Sequence, residues 1–163
     1  MPYMFRIDEG HGCVFVKWRG LVTLADNEAF FKDLEASPGF RAGLHRLHDY
    51  RDAEFQYTTA YVRSLLAKDT MAGGSHGFRK VAMLVSTDFA FGISRMYQIL
   101  SKDPNQEFWS FRDLEKAIEW LGLPADIPDP FTETGDAASG GDQENATPAA
   151  TPTSAPTSIV PAS

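Results

Sequence analysis

Cysteine is nearly absent: Cys13 is the single thiol among 163 residues. No disulfide can close within the chain, which excludes the small disulfide-stapled secreted class and fits a reducing compartment. A thiolate metal site is excluded with it. The four histidines do not replace it. His45 and His48 stand three apart on a predicted strand, so they point to opposite faces. His11 and His76 fall in Gly-flanked segments read as loops. Zinc needs three or four convergent ligands, and none of these spacings supplies them.

Basic charge is scarce as well. The net charge is -7, and no Lys or Arg occurs after Lys116. The last 32 residues carry Glu133, Asp136, Asp142 and Glu144, which leaves 15 bases against 18 acids in the body. A nucleic-acid partner calls for a basic face, and none is expected here. Long apolar runs are missing too. Nothing approaches the roughly 20 residues of a membrane span, so no stable membrane insertion is expected. The start, Met-Pro-Tyr-Met-Phe-Arg, lacks the apolar core of a signal peptide. The expectation is a cytoplasmic protein.

Catalytic motifs are the last absence. Gly73-Gly74-Ser75-His76-Gly77 lacks the Lys-Ser/Thr ending of a phosphate loop and precedes a strand rather than a helix. No serine sits in a Gly-x-Ser-x-Gly elbow. Asp113 and Glu115 read as partners of a helix N-terminus. No enzyme activity and no cofactor are expected.

What is present is a core. Apolar residues make up 43% of the chain and include twelve Phe. Strand signals run over Tyr3–Ile7, Cys13–Trp18, Leu44–Asp49, Val81–Val85 and Glu107–Phe111. Val-Ala-Met-Leu-Val at 81–85 is the continuous apolar run of a strand covered on both faces. Helices are predicted over 23–36, where Thr23 and Asp26 resemble a capping box; over 59–71, ended by Gly73-Gly74; over 88–100; and over 114–121, stopped by Gly122. The order β-β-α-β-α-β-α-β-α predicts an α/β domain over residues 1–123, its mostly parallel sheet edged by an antiparallel N-terminal hairpin. The Pro-rich stretch 124–131 reads as a linker. Residues 132–163, rich in Thr, Ala, Ser, Pro, Gly and acids without an aromatic, read as a disordered tail.

Four segments then carry a resemblance: Phe15-Val16-Lys17-Trp18-Arg19-Gly20, His48-Asp49-Tyr50-Arg51-Asp52, Phe91-Gly92-Ile93-Ser94-Arg95-Met96-Tyr97 and Ala117-Ile118-Glu119-Trp120-Leu121-Gly122. In order and spacing, over about residues 3–122, the chain resembles the SpoIIAA-like proteins, the group of STAS domains, and within it the bacterial branch labelled STAS/SEC14 domain-containing. The resemblance implies a five-stranded mixed sheet with about four helices. It implies a regulatory binding module acting through protein association, and its SEC14 label points alternatively to a carrier of a small apolar or lipid-like ligand. Anti-sigma antagonists of the group place a phosphorylatable serine shortly after an Asp. Here Thr58 and Thr59 stand at the matching helix start, but nine residues beyond Asp49, a longer loop than that motif has.

Three candidate sites follow. Thr58 and Thr59 fit either a helix cap or a phosphate site at the positive helix end. Asp49, Tyr50, Arg51, Asp52 and Tyr57 follow the predicted end of a strand, where open α/β sheets bind ligands, and fit either a polar-aromatic pocket or a solvated loop with local ion pairs. On the 88–100 helix, Phe89, Gly92, Ile93, Met96, Tyr97 and Leu100 share one face. Phe91, Arg95 and Gln98 share the other, so Phe91 is read as an exposed aromatic beside a cation and the face as a surface for self-association.

Overall fold

The computed structural model describes residues 1–55 and 58–132, of which 68–75 are described by backbone alone. Tyr57 and the segment after Thr132 lie outside the described residues. Nine elements follow in chain order: β1 (Tyr3–Asp8), β2 (Cys13–Val22), α1 (Leu24–Ala36), β3 (His45–Phe55), α2 (Thr59–His76), β4 (Arg79–Leu84), α3 (Asp88–Leu100), β5 (Gln106–Phe111) and α4 (Leu114–Leu121). The sheet has the order β1-β2-β3-β4-β5. β1 runs antiparallel to β2, with Tyr3 opposite Trp18, and every later pair is parallel. The expected element order and the antiparallel edge are both present.

The local reasons are legible. Thr23 opens α1 with a reciprocal capping box, accepting from the Asp26 amide while its own N–H donates to the Asp26 carboxylate at 2.8 Å. Thr58, Thr87 and Asp113 cap α2, α3 and α4 with side chains that accept from the Tyr61, Ala90 and Glu115 amides. Gly122 ends α4 in the left-handed region at φ 75°, a conformation that glycine adopts without Cβ strain.

Strand alternation divides the interior between two faces. Val14, Val16 and Trp18 of β2 pack with Tyr50 of β3 and with Phe30 and Leu34 of α1. On the opposite face Cys13, Phe15, Leu47 and Ala82 meet Ala117, Ile118 and Leu121 of α4. Ile127 and Phe131 join this second layer, and Phe131 sets its ring edge-on to Phe15. The stretch read as a linker is therefore laid along the domain.

Several boundaries differ from expectation, among them the end of β2, at Val22 instead of Trp18, and two that bear on the candidate sites. β3 continues to Phe55 instead of stopping at Asp49, so Asp49, Arg51 and Asp52 are strand residues and not a loop beyond a strand end. The pairing of β2 with β3 slips between Lys17 and Arg19: Lys17 pairs Asp49, but Arg19 pairs Asp52. One extra residue of β3 is thus accommodated as a bulge. α2 runs through Gly73 and Gly74 to His76 and turns at Gly77, φ 65° and ψ -175°. His76 is therefore a helical residue rather than part of a loop.

Candidate functional site

Between the α1 face of the sheet and α2 and α3 lies a cavity of about 70 Å³. Its floor is His48 and Tyr50 of β3, Val81 and Met83 of β4 and Phe108 of β5. α1 contributes Asn27 and Phe31, α2 contributes Tyr61, Val62 and Leu65, and α3 contributes Ile93, Ser94 and Tyr97. Arg46 and Gln106 bring polar groups to the lining. The space sits where the core beneath α1 meets a smaller cluster of Val81, Tyr97 and Phe108.

Aromatic stacking behind the lining holds its His48 and Tyr50 wall in place. Trp18 and Tyr50 lie nearly parallel, 6° apart with centroids at 5.3 Å. His48 stacks on both, at 14° to Trp18 and 8° to Tyr50, and meets Phe30 edge-on. The Trp18 indole N–H donates to Nδ1 of His48 at 3.0 Å. An acceptor at Nδ1 leaves the ring proton of neutral His48 on Nε2. No described group bonds that nitrogen.

Three of the lining side chains are held in uncharged forms. Burial, with the positive charge of Arg46 behind it, pushes His48 down to about 3. Burial, with the neighbouring Tyr61 and Tyr97 phenols, drives the Tyr50 hydroxyl well above its usual range. Burial raises Tyr61 to about 12. The Tyr61 hydroxyl takes a 2.7 Å bond from Asn27 Nδ2, which ties α2 to α1. Arg46 is the buried cation of the lining. It donates to Nδ1 of His76, whose Nε2 meets Glu35 at 2.8 Å, and its guanidinium lies over the Phe31 ring.

Of the five residues expected to share a pocket, Tyr57 lies outside the described residues, and the structure separates the other four. Tyr50 lines the cavity, whereas Asp49, alternating with it, lies fully buried toward the α4 face. There Asp49 accepts from Lys17 at 2.8 Å and from Arg51 Nε and Nη2 at 3.0 and 2.8 Å. Lys17 also reaches Asp52 at 2.6 Å. Burial acts to raise the Asp49 carboxyl, but the bonds from Arg51 and Lys17 outweigh it and hold Asp49 below the usual carboxylate range. The bulge lets four charged side chains close on one another, and Asp49 is satisfied by that closure.

Thr58 caps α2, its hydroxyl accepting from the Tyr61 amide at 3.1 Å, and Thr59 beside it is exposed. The α3 face is rotated relative to expectation: Ile93 and Tyr97 point inward as the pattern suggests, but Phe89 and Leu100 do not. Ala90, Ser94 and Tyr97 are its buried residues. Phe91 is half-buried against the core under α1 and lies beneath the Arg112 guanidinium at 5.0 Å. Phe89 is the exposed aromatic, at 64%, with Ile99 at 75% and Leu100 at 42%. Small side chains explain the rotation: Ala90 and Ser94 let the helix approach the sheet, and Ser94 is satisfied by donating to the Phe91 carbonyl and accepting from Ser110 at 2.6 Å. Arg95 and Gln98 do meet, at 2.7 Å, with Arg95 over the half-exposed Trp109 ring.

Sequence reasoning missed His48 as a site residue. The signal present was His48 and Tyr50 on alternate positions beside Val14, Val16 and Trp18, one aromatic-rich face of two adjacent strands. Among the described residues no group of three or more His, Cys, Asp or Glu is placed to hold a metal ion. No helix among them is long and apolar enough to cross a membrane.

A mixed five-stranded sheet of this order, with α1, α2 and α3 on one face and α4 on the other, is a SpoIIAA-like α/β fold. The chain is similar to an uncharacterized protein of the DUF3478 family with a SpoIIAA-like fold from Shewanella loihica: 18% identity and a TM-score of 0.53, over 73% of this chain and 93% of that one. At that identity the likeness carries the fold. No family profile matches the sequence, and no curated protein does.

Proposed function

We propose that this STAS-like domain is a non-enzymatic binding module that holds a small uncharged organic ligand in the cavity between its sheet and α2 and α3. The supporting observation is an aromatic-walled space whose His48, Tyr50 and Tyr61 side chains are held in neutral forms. Small-molecule sites combine such apolar walls with a few placed polar groups. Binding is favoured over chemistry by the state of those groups. His48 has its basic nitrogen taken by Trp18, and Ser94 donates its proton to a backbone carbonyl, so neither forms a nucleophile–base pair.

Native mass spectrometry of protein purified without denaturation tests the reading, together with thermal-shift titration of single-ring neutral compounds. A retained small molecule, or a rise in Tm that grows with ligand concentration, is expected. Protein that is ligand-free and shifted by no such compound would overturn it.

A second reading rests on a separate observation. Phe89, Gly92, Met96, Ile99 and Leu100 fall on one stripe of α3, and Phe89, Ile99 and Leu100 expose apolar surface. A contiguous apolar stripe on a surface helix fits association with another protein or a second copy of this chain. Light scattering of the parent protein checks it, and a monomer at high concentration would leave only a heterologous partner.

A further inference from the structure

We infer that the cavity ligand is a single-ring molecule bearing a neutral hydrogen-bond acceptor, such as a carbonyl or nitrile, which takes the Nε2–H of His48. This rests on the cavity-binding reading and adds the ligand's chemistry to it.

Size comes first. At roughly 15 Å³ of such space per water, about 70 Å³ holds roughly five waters. Five waters fill roughly 150 Å³ of liquid, the room of one six-membered ring with a small substituent. The His48, Tyr50, Phe31 and Phe108 rings of the lining suit a planar guest.

Polarity follows from the Trp18 bond. Trp18 Nε1 is a donor and nothing else, so its contact at 3.0 Å makes Nδ1 of His48 the acceptor. The remaining ring nitrogen then presents N–H to the cavity that His48 lines. That nitrogen is not sealed in among the buried, unsatisfied side-chain atoms, so its N–H is open to an acceptor brought in by a ligand, worth the modest net gain of one neutral hydrogen bond. A second polar point lies elsewhere. Gln106 Nε2 is buried without a partner, while its Oε1 accepts from Arg79 at 2.8 Å. The register puts Ser110 level with His48 across β4, so Gln106 stands four residues back and two strands away. That is on the order of 15 Å along the sheet, too far for one small acceptor to meet both groups.

Benzonitrile and phenylacetylene provide the test, because they share a shape and differ in the acceptor. Affinities are measured on the full chain by calorimetry, with the nitrile stretch followed by infrared spectroscopy and the His48 ring nitrogens by 15N NMR. Benzonitrile is expected to bind roughly two- to tenfold more tightly, the worth of one neutral hydrogen bond. Its stretch shifts to the hydrogen-bonded frequency, and the His48 Nε2 resonance moves on binding. His48→Phe is expected to bring the two ligands level. If that variant fails to fold, the infrared and NMR readouts on the parent protein still decide. Equal binding of both ligands with an unmoved Nε2 resonance would overturn the inference and leave the cavity reading standing. A preference that survives His48→Phe would also overturn it, pointing to Gln106. Binding of neither compound, with only solvent in the cavity, would remove the cavity reading itself.

Discussion

The indole of Trp18 and the imidazole of His48, thirty residues apart in sequence, are joined by a 3.0 Å hydrogen bond within a near-parallel stack. One side chain thereby fixes the tautomer of the other. Trp18 is also among the largest fully buried residues of the domain, so packing and polar order meet at one position. Trp18→Phe keeps an aromatic ring but removes the donor. It is expected to destabilise by roughly 1–3 kcal/mol, from lost volume and from the unpaired Nδ1. It should also let the His48 proton move between nitrogens, visible as 15N shifts intermediate between the two ring types. Unchanged nitrogen shifts in that variant would show that something other than Trp18 sets the tautomer.

Acid stability follows from the same histidine. His48 has a folded pKa lowered to about 3, against roughly 6.5 in the unfolded chain. Between those values the unfolded state binds the extra proton, so stability falls as pH drops from 6.5 toward 3. His45 and His76 are shifted in the same direction, mainly by burial, and add to the slope in the upper part of the window. Below about 4 the protonation of Asp49 adds a further loss, because its carboxyl is held down in the fold. Urea unfolding at half-unit pH steps should show a loss on the order of a few kcal/mol across the window. His48→Phe should flatten it. A parent curve flat from pH 7 to 4 would mean that His48 accepts its proton in the folded state.

Much of the fold was legible because its signals are local. The Thr23–Asp26 box starts α1 and Gly122 stops α4, and both helices fall where the sequence put them. The element order and the mixed sheet were legible from the alternation of strand and helix signals. The errors arise where distant contacts override local ones. Asp49-Tyr50-Arg51-Asp52 looks like a loop because three of four residues are charged, but Lys17 from β2 neutralises Asp49 and Asp52 and keeps the run in a strand. Gly73-Gly74 reads as a helix stop, and the stop is instead at Gly77. The candidate site was least legible of all. A lone strand histidine carries no mark of its partner, and the donor to His48 comes from another strand.

The α3 surface separates two phenylalanines that the helical pattern assigns the wrong way round. Phe91→Asp puts a charge into the half-buried contact with the α1 core and is expected to cost roughly 2–4 kcal/mol in thermal or urea unfolding. Phe89→Asp, on a residue 64% exposed, should alter stability by no more than roughly 0.5 kcal/mol. If the stripe associates with a second copy, Phe89→Asp with Ile99→Asp lowers the mass seen by light scattering while the fold is kept. A parent and double variant of equal mass would exclude self-association through α3.

Gly77 gives the sharpest backbone prediction. It joins α2 to β4 at φ 65° and ψ -175°, a region open essentially to glycine alone. A Cβ there would stand 3.2 Å from the Gly43 amide nitrogen and 3.3 Å from the Ala42 Cβ. Gly43 cannot easily retreat, because its N–H donates to the His76 carbonyl at 2.8 Å. Strain and crowding therefore act together, and Gly77→Ala is expected to destabilise by on the order of 2 kcal/mol or more. Gly92, with open space at its Cβ position, is the matched control: Gly92→Ala should stabilise α3 by roughly 0.5–1 kcal/mol. The effect of Gly77→Ala should also reach the cavity. His76, whose carbonyl holds Gly43, is bonded through its ring to Arg46 of the lining. Displacing the turn would move that cation, so ligand-induced Tm shifts should shrink in Gly77→Ala and persist in Gly92→Ala. Equal stability of the two variants would show that the α2–β4 turn can relax into a conformation open to alanine.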